Sequence, residues 1–198
     1  PATGDQRPWD YKPRNTYSAS FSLSQVVNTR LQALITIEPS YQHGLLATKY
    51  QRVYFNADFA EGVGPNGNVF NERSENLPDN RYKLPIALRI NYFLDDHYII
   101  RTFYRYFIDN LGIQAHTAEI EIPIKLTSFI SISPAYRYNS QKGTHYFAPY
   151  GQHSINETYY TSDYDLSTLT SNFVGANFRI APPKGVFGFQ HLNALEIR

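Results

Sequence analysis

The sequence lacks cysteine altogether and has almost no excess of charge of either sign. Its 198 residues contain 18 Lys and Arg against 17 Asp and Glu, a formal net charge of +1. Without cysteine the chain has no structural disulfide, no thiolate zinc site and no cysteine nucleophile. A balanced charge gives no bulk attraction to nucleic acid or to an acidic partner. We therefore expect no nucleic-acid partner.

Long hydrophobic runs are also missing. No stretch of about eighteen apolar residues occurs, which argues against a transmembrane helix. Residues 1–13 contain neither the basic start nor the apolar core of a signal peptide, as expected for a mature or internal portion of a protein. Mean hydropathy is −0.44 although only 18% of residues are charged. The chain is therefore polar through hydroxyl and amide groups, unlike a helical membrane protein.

What the sequence has is alternation with a period of two. In residues 16–25, Tyr17, Ala19, Phe21 and Leu23 alternate with serine and threonine, a pattern that predicts a strand with one apolar and one polar face. The predicted strands, eight in all, cover about residues 16–25, 31–42, 84–92, 98–108, 117–126, 130–139, 174–180 and 195–198. Every charged residue within them lies on the polar parity. Bulges or strand ends are expected at four prolines, which remove ladder hydrogen bonds: Pro39, Pro85, Pro123 and Pro134.

Three features favour a membrane barrel over a soluble sandwich or lipocalin-like barrel. Most of the strands run about ten to twelve residues, enough for a tilted strand to cross a bilayer. The connections alternate between short turns and two long loops, about residues 43–83 and 140–166, as in outer-membrane barrels. Tyrosines on the apolar face gather toward strand ends, as in interfacial girdles: Tyr17, Tyr41, Tyr92, Tyr98, Tyr106, Tyr136 and Tyr138.

The sequence therefore predicts an all-β fold, an antiparallel up-and-down transmembrane β-barrel that occupies residues 1–198 as one domain. The expected location is the outer membrane of a Gram-negative bacterium, with the lipid bilayer and lipopolysaccharide as partners. With the short turns on the periplasmic side, both ends of the chain fall on the outer side. We therefore expect further strands before residue 1 and after residue 198 in the full protein.

Several segments resemble one known family. They include Tyr-Phe-Ala-Pro-Tyr at 146–150 and Tyr-Tyr-Thr-Ser-Asp-Tyr-Asp-Leu at 159–166, together with residues 14–18, 41–46, 52–55, 77–81 and 104–106. Together they are similar to the C-terminal half of a Bacteroidota outer-membrane β-barrel family known mainly as a domain of unknown function. The resemblance implies a barrel of roughly twice this length. It implies no established activity and no catalytic residues.

Charged residues on the polar parity are the candidates for lining the interior of the barrel. We expect Arg101 and Arg105 to face Glu119 and Glu121 on the next strand, where opposite charges pair. Two interpretations stay open: a charged lumen that selects solutes, or a salt-bridged interior that fills the barrel. The complete set of lumen candidates is Arg89, Arg101, Arg105, Glu119, Glu121, Lys125, Arg137 and Arg179.

The second long loop is rich in aromatic residues. It either folds on itself over the mouth of the barrel or presents tyrosines to a partner protein or sugar. The candidate contact residues are Tyr146, Tyr150, Tyr159, Tyr160 and Tyr164. Asp163 and Asp165, near His145, His153 and Glu157, offer oxygen ligands, but the spacing of a calcium loop is absent. We expect no metal and no cofactor.

Catalytic signatures are missing. None of the six histidines, His43, His97, His116, His145, His153 and His191, lies in a recognisable hydrolase context. Gly62, Gly64 and Gly67 match a phosphate-loop pattern, but they follow no strand and open no helix. We therefore expect a non-enzymatic barrel: a structural or interaction component of the cell envelope, or a porin-like channel for small polar solutes. An outer-membrane hydrolase is a remote alternative.

Overall fold

A computed structural model describes residues 13–48, 50–56, 72–186, 189 and 191–197. This part of the chain is built from antiparallel β-strands, which confirms the all-β prediction. No helix within it is long and apolar enough to cross a membrane. The glycine pattern at residues 62–67 lies outside the described residues. The strands are β1 (Asn15–Ser18), β2 (Phe21–Asn28), β3 (Leu31–Ile37), β4 (Ser40–His43), β5 (Arg52–Tyr54), β6 (Glu72–Ser74), β7 (Asn80–Phe93), β8 (Ile99–Asp109), β9 (Gln114–Glu121), β10 (Ile124–Lys125), β11 (Ile130–Lys142), β12 (Leu169–Ile180) and β13 (Leu195–Ile197).

Eleven strands form one antiparallel meander, and β5 and β6 form a separate pair. β1 pairs with β4, and β2 pairs with β3. Both β3 and β4 then pair with β7 on their other side. The order continues through β8, β9, β11, β12 and β13, with β10 beside β11. The path thus has eight strand positions, as predicted, because the first, second and fifth predicted strands are each split in two. Within the described ranges β1, β2 and β13 have a partner on one side only, so this sheet is open.

The four prolines mark two interruptions that cross neighbouring strands. Pro39 separates β3 from β4, and Pro123 separates β9 from β10, as predicted. The prediction is wrong for Pro85 and Pro134, which lie inside β7 and β11. Each of their carbonyls accepts a hydrogen bond from the residue that precedes Pro39 or Pro123. In an antiparallel sheet the N and O atoms of one residue point to the same neighbouring strand. The N–H groups missing at Pro85 and Pro134 would therefore point to strands that are already interrupted at Pro39 and Pro123.

The register places the charged strand residues of the large sheet on one face, apart from Lys142 at the end of β11. We call this the charged face. The opposite, apolar face is largely uncovered: Leu23 is 65% exposed and Val174 is 79% exposed. Large aliphatic or Phe side chains on this face that are more than a third exposed include Phe21, Leu23, Ile35, Leu84, Leu88, Ile120, Val174 and Ile197.

Aromatic rings line the end of the apolar face that lies near the long loops. Tyr41 stacks on Tyr82 with ring centroids 4.7 Å apart, and Tyr17 stacks on Tyr41 at 6.4 Å. The Tyr41 hydroxyl donates to Asn80 Oδ1 at 2.7 Å. Tyr92 lies near the opposite end of β7. Tyrosines therefore lie toward both ends of the central strand, with aliphatic residues between them.

Most of the buried side chains lie in or beside the connections at one end of the sheet, whereas Val186, 2% exposed, lies in the connection between β12 and β13 at the other end. We call the described residues of 44–79, 110–113 and 143–168 the loop cap. Its strand pair β5–β6 is joined to the second loop through bridges from Phe55 to His153 and from Asn76 to Tyr160. Val53, Phe55 and Tyr160 form its core, with exposed fractions of 0%, 4% and 1%. The second long loop therefore folds against the first.

The connections at the other end are mostly tight. Residues 29–30, 94–98 and 126–129 join consecutive strands there. The connection from β12 to β13 is longer than the others at this end, because β12 ends at Ile180 and β13 begins at Leu195, where the last strand was predicted. Pro182 and Gly185 close a turn at its start, in which the Gly185 amide donates to the Pro182 carbonyl and φ of Gly185 is +83°. The described residues between this turn and Leu195 lie outside any strand.

Candidate functional site: a hollow on the charged face

A concave hollow of about 810 Å³ lies on the charged face and extends from β7 through β8, β9 and β11 to β12. It is lined by six of the eight residues predicted to line a lumen: Arg89, Arg101, Arg105, Glu119, Glu121 and Arg137. The register explains their convergence, because each lies on the same parity of an adjacent strand. We call this cavity the charged hollow.

Two ion pairs cross strands within the charged hollow. Arg101 lies directly opposite Glu121, as predicted, with Nη1 3.5 Å from Oε2. Glu119 pairs instead with Arg137, whose Nη2 and Nε lie 2.6 and 2.8 Å from Oε2. The arginine side chains are about half exposed, at 49% and 54%. Such pairs add little stability because water screens them, but they fix where the charges lie.

The other two arginines of the hollow lie over aromatic rings. Cζ of Arg89 is 5.6 Å from the ring centroid of Phe103, and Cζ of Arg105 is 6.0 Å from that of Phe107. Arg105 lies opposite Thr117, so the predicted pairing of Arg105 with a glutamate is wrong. Arginine over an aromatic face is held by the ring quadrupole while its N–H groups stay free to donate.

The remaining lumen candidates lie elsewhere on the charged face. Lys125 and Arg179 share a row with Ser131 and Glu196 near the uncapped end, where Arg179 Nε is 3.3 Å from Glu196 Oε1. Sequence reasoning did not single out several residues that line the hollow, although all but Thr102 share its parity. They are Asn91, Thr102, Phe103, Thr117, Asn139 and Ser171.

The loop cap reaches the capped edge of the hollow. Gln141 Nε2 donates to the backbone carbonyls of Asp165 and Ser167, both at 2.9 Å. A smaller cavity of about 200 Å³ at this point is lined by Arg81 and Arg105 on one side and by Asp165 on the other. The turn at residues 163–167 therefore lies over one end of the charged face.

A buried carboxylate anchors the cap to the sheet. The side chain of Asp109 is fully buried, and Oδ2 accepts from Arg81 Nη2 at 2.6 Å. Its Oδ1 accepts from the backbone amides of Leu111 and Ile113 at 3.0 and 2.9 Å. Thr144 then donates to the Leu111 carbonyl at 2.6 Å. A charge removed from water is tolerated where several donors surround it, as here.

The five loop tyrosines occupy different positions. Tyr150 and Tyr164 are 72% and 64% exposed, Tyr159 is 39% exposed, and Tyr146 is intermediate. Tyr160 is only 1% exposed, so its ring has no surface to offer to a partner. Tyr150 packs on the ring of Tyr54 at 4.7 Å. Burial and then the Glu72 carboxylate raise the pKa of Tyr54.

A polar network lies inside the cap beside this core. Glu75 is 4% exposed and accepts from Thr161 Oγ1 and from the Thr48 amide, both at 2.5 Å. His153 is 1% exposed, with Nε2 2.9 Å from the Thr161 carbonyl and Nδ1 2.6 Å from Glu157 Oε2. The imidazole is therefore held between a carboxylate oxygen and a backbone carbonyl inside the cap.

The histidine and acidic side chains of this region and of the sheet make separate local contacts. In the described part of the chain no three His, Asp or Glu side chains lie together in a group able to hold a metal ion. The Asp163 carboxylate accepts from the Asp165 amide at 3.0 Å and caps a 3₁₀ turn. His43 bonds to Asn80 and His116 to Tyr104, both outside any arrangement of a nucleophile and a base.

The sequence matches one protein family. Residues 2–186 match the family described as "Protein of unknown function (DUF3570)". No curated protein and no solved structure matches the chain.

Proposed function

This chain belongs to the DUF3570 family, and we propose that it forms part of the wall of a β-barrel in a bacterial outer membrane. In this arrangement the apolar face meets lipid and the charged face borders a water-filled interior. Small polar solutes pass along that interior. The loop cap lies on the outer side.

The apolar face, whose one charged strand residue within the described ranges is Lys142 at the end of β11, carries the membrane part of the proposal. Leaving a side chain such as leucine in water forgoes about 1.5–3 kcal/mol relative to burying it, and this face exposes many such side chains. Soluble proteins rarely expose so large an apolar patch without a partner that covers it. Hydrocarbon is the covering that suits a face with aliphatic residues between tyrosines.

Strand length agrees with this interpretation. β7, β11 and β12 contain 14, 13 and 12 residues. A tilted strand needs about 9–11 residues to cross the hydrocarbon core of a bilayer. A closed barrel also requires partners for β1, β2 and β13, which strands beyond the described residues, or a second copy, would supply.

The charged hollow supports a wet interior over a dry one. Four arginines and two glutamates line it, and the arginines of its two ion pairs are about half exposed. Removing unpaired charges from water without new partners carries a large energetic penalty. The proposed interior is therefore aqueous, and a polar solute meets arginine, amide and hydroxyl groups along it.

Spin labels on adjacent residues of β7 test the two faces. The chain has no cysteine, so Leu88→Cys and Ala87→Cys each give one labelling site. Leu88 belongs to the apolar face, and Ala87, opposite Arg105, to the charged face. In lipid vesicles we expect the label at residue 88 to collide with oxygen, which partitions into hydrocarbon. The label at residue 87 should collide with a water-soluble nickel chelate.

The same experiment separates the membrane barrel from a soluble fold. A dry protein core would shield residue 88 from both reagents. Recovery of the full-length protein in the soluble periplasm would also contradict the proposal. Single-channel recording in a planar bilayer tests the passage of solutes, and the absence of conductance at any voltage would leave a barrel without a pore.

A structural or interaction role in the envelope is the second candidate. It is favoured by the exposed rings of Tyr150 and Tyr164 on the loop cap, since aromatic residues are enriched at protein interfaces. Photo-crosslinking from these two positions in cells should then capture a defined envelope protein or lipopolysaccharide. Recovery as a lone, uncrosslinked monomer would contradict this second candidate.

A further inference from the structure

The charged hollow contains more positive than negative side chains. Of its ionised residues, four are arginines and two are glutamates. The two glutamates are matched by Arg101 and Arg137 at ion-pair distance. This leaves two positive charges in a hollow with a volume of about 810 Å³. A hollow lined by one sign of charge concentrates ions of the opposite sign.

Arg89 and Arg105 are the source of the excess. Within the described ranges no carboxylate lies at ion-pair distance from either guanidinium, and both side chains are exposed. Each lies over a phenylalanine ring of the same face, at 5.6 and 6.0 Å. The ring limits the positions of the guanidinium without using its N–H groups. Both guanidinium groups are thus pre-organised to donate hydrogen bonds to a solute in the hollow.

Neutral donors lie beside them. Thr117, directly opposite Arg105, donates its hydroxyl to Asn139 Oδ1 at 2.8 Å. This leaves the Asn139 amino group as another donor that lines the hollow. Guanidinium groups bind carboxylate and phosphate through two parallel N–H bonds, a geometry that an ammonium does not offer.

We infer that Arg89 and Arg105 form a binding site for small oxyanions, solutes that carry a carboxylate or phosphate group, on the wall of the proposed interior. This inference rests on the proposed function for its place in a solute path, but binding itself does not require conductance. A pore containing this site prefers anions to cations and is slowed by an oxyanion that occupies the arginines.

Two measurements on the full-length protein test the site. The first is the reversal potential in a planar bilayer under a potassium chloride gradient. We expect a chloride-to-potassium permeability ratio above one, lowered at least about twofold in Arg89→Gln/Arg105→Gln because the local positive potential is lost. The second is the linewidth of the ³¹P resonance of inorganic phosphate, which detects weak binding to the detergent-solubilised protein. The wild type should broaden the resonance, and the double variant should not.

Matched variants separate a site from general charge. Arg89→Lys/Arg105→Lys keeps both charges and should keep the anion preference, but it should lose most of the phosphate broadening because lysine cannot bind in a bidentate manner. Lys125→Gln removes a charge from the same face outside the hollow and should leave the broadening unchanged. Heat modifiability on gels checks that each variant is folded.

The outcomes distinguish this inference from the proposed function. No conductance in the wild type, with phosphate broadening that depends on the two arginines, contradicts the pore and supports the site. Conductance with equal phosphate broadening in the wild type and the Gln variant contradicts the site and supports the pore. A cation preference in the wild type also overturns the inference.

Discussion

The large sheet carries its apolar side chains on its surface, whereas the loop cap encloses them. Leu23 and Val174 of the sheet are 65% and 79% exposed, while Val53 and Tyr160 of the cap are 0% and 1% exposed. The cap therefore has the interior of a small water-soluble protein, and the sheet lacks one. The difference indicates that the two regions are stabilised in different ways. Packing against other protein side chains stabilises the cap, whereas the apolar face of the sheet needs a covering from outside the described residues.

The largest expected effect comes from emptying the core of the cap. Phe55→Ala removes a ring that packs edge-on against Tyr160 at 4.9 Å, and such deletions cost about 3–5 kcal/mol. Because all three residues of this core lie in the cap, we expect protease cleavage within residues 44–79 while the sheet stays heat-modifiable. The control is Tyr150→Ala, at a ring that is 72% exposed. Simultaneous loss of cap and sheet would show that the two form one cooperative unit.

The next effect comes from placing a charge on the apolar face. Leu88→Arg puts a guanidinium where we propose hydrocarbon, a change that costs about 2–4 kcal/mol near the bilayer midplane. Ala87→Arg places the same group on the charged face beside Arg105 and is the matched control. Reversible urea unfolding in lipid vesicles gives both free energies. Equal losses for the two variants would contradict the assignment of the faces.

A smaller effect is expected from the polar network inside the cap. Thr161→Val removes the hydroxyl that donates to Glu75 and leaves a buried carboxylate oxygen without this donor. Such a change costs about 1–3 kcal/mol. Amide hydrogen exchange should quicken throughout the cap, with the sheet unchanged. Thr158→Val, at an exposed position, is the control, and equal exchange in both variants would show that Glu75 does not need this donor.

The same contrast explains what the sequence could and could not predict. Alternation identified the strands and assigned Arg89 and Glu119 to one face, because side-chain direction in a strand depends only on parity. It could not choose between Arg101 and Arg137 as the partner of Glu119, because that depends on register between strands. In the cap, Thr161 and Glu75 are 86 residues apart, and neither long loop has a period that would indicate the contact.

The smallest expected effect concerns the tight turn between β7 and β8, at the uncapped end. Hydrogen bonds from the backbone amides of His97, at 2.7 Å, and Tyr98, at 2.8 Å, lower the pKa of Asp95 from its ordinary value of 3.8. Folding therefore favours the ionised carboxylate. Its contribution to stability is present above 3.8 and is lost as the pH falls through the lowered value.

Asp95→Ala should consequently lower the urea midpoint at neutral pH by a small amount, because the side chain is exposed and the interaction is local. The difference between variant and wild type should shrink as the pH falls below 3.8. Asp96→Ala, one residue along the same turn, controls for the loss of a nearby charge. A difference that persists unchanged in strong acid would show that the effect of Asp95 does not depend on its ionised carboxylate. A shift equal to that of Asp96→Ala would show that it depends only on the number of charges in the turn.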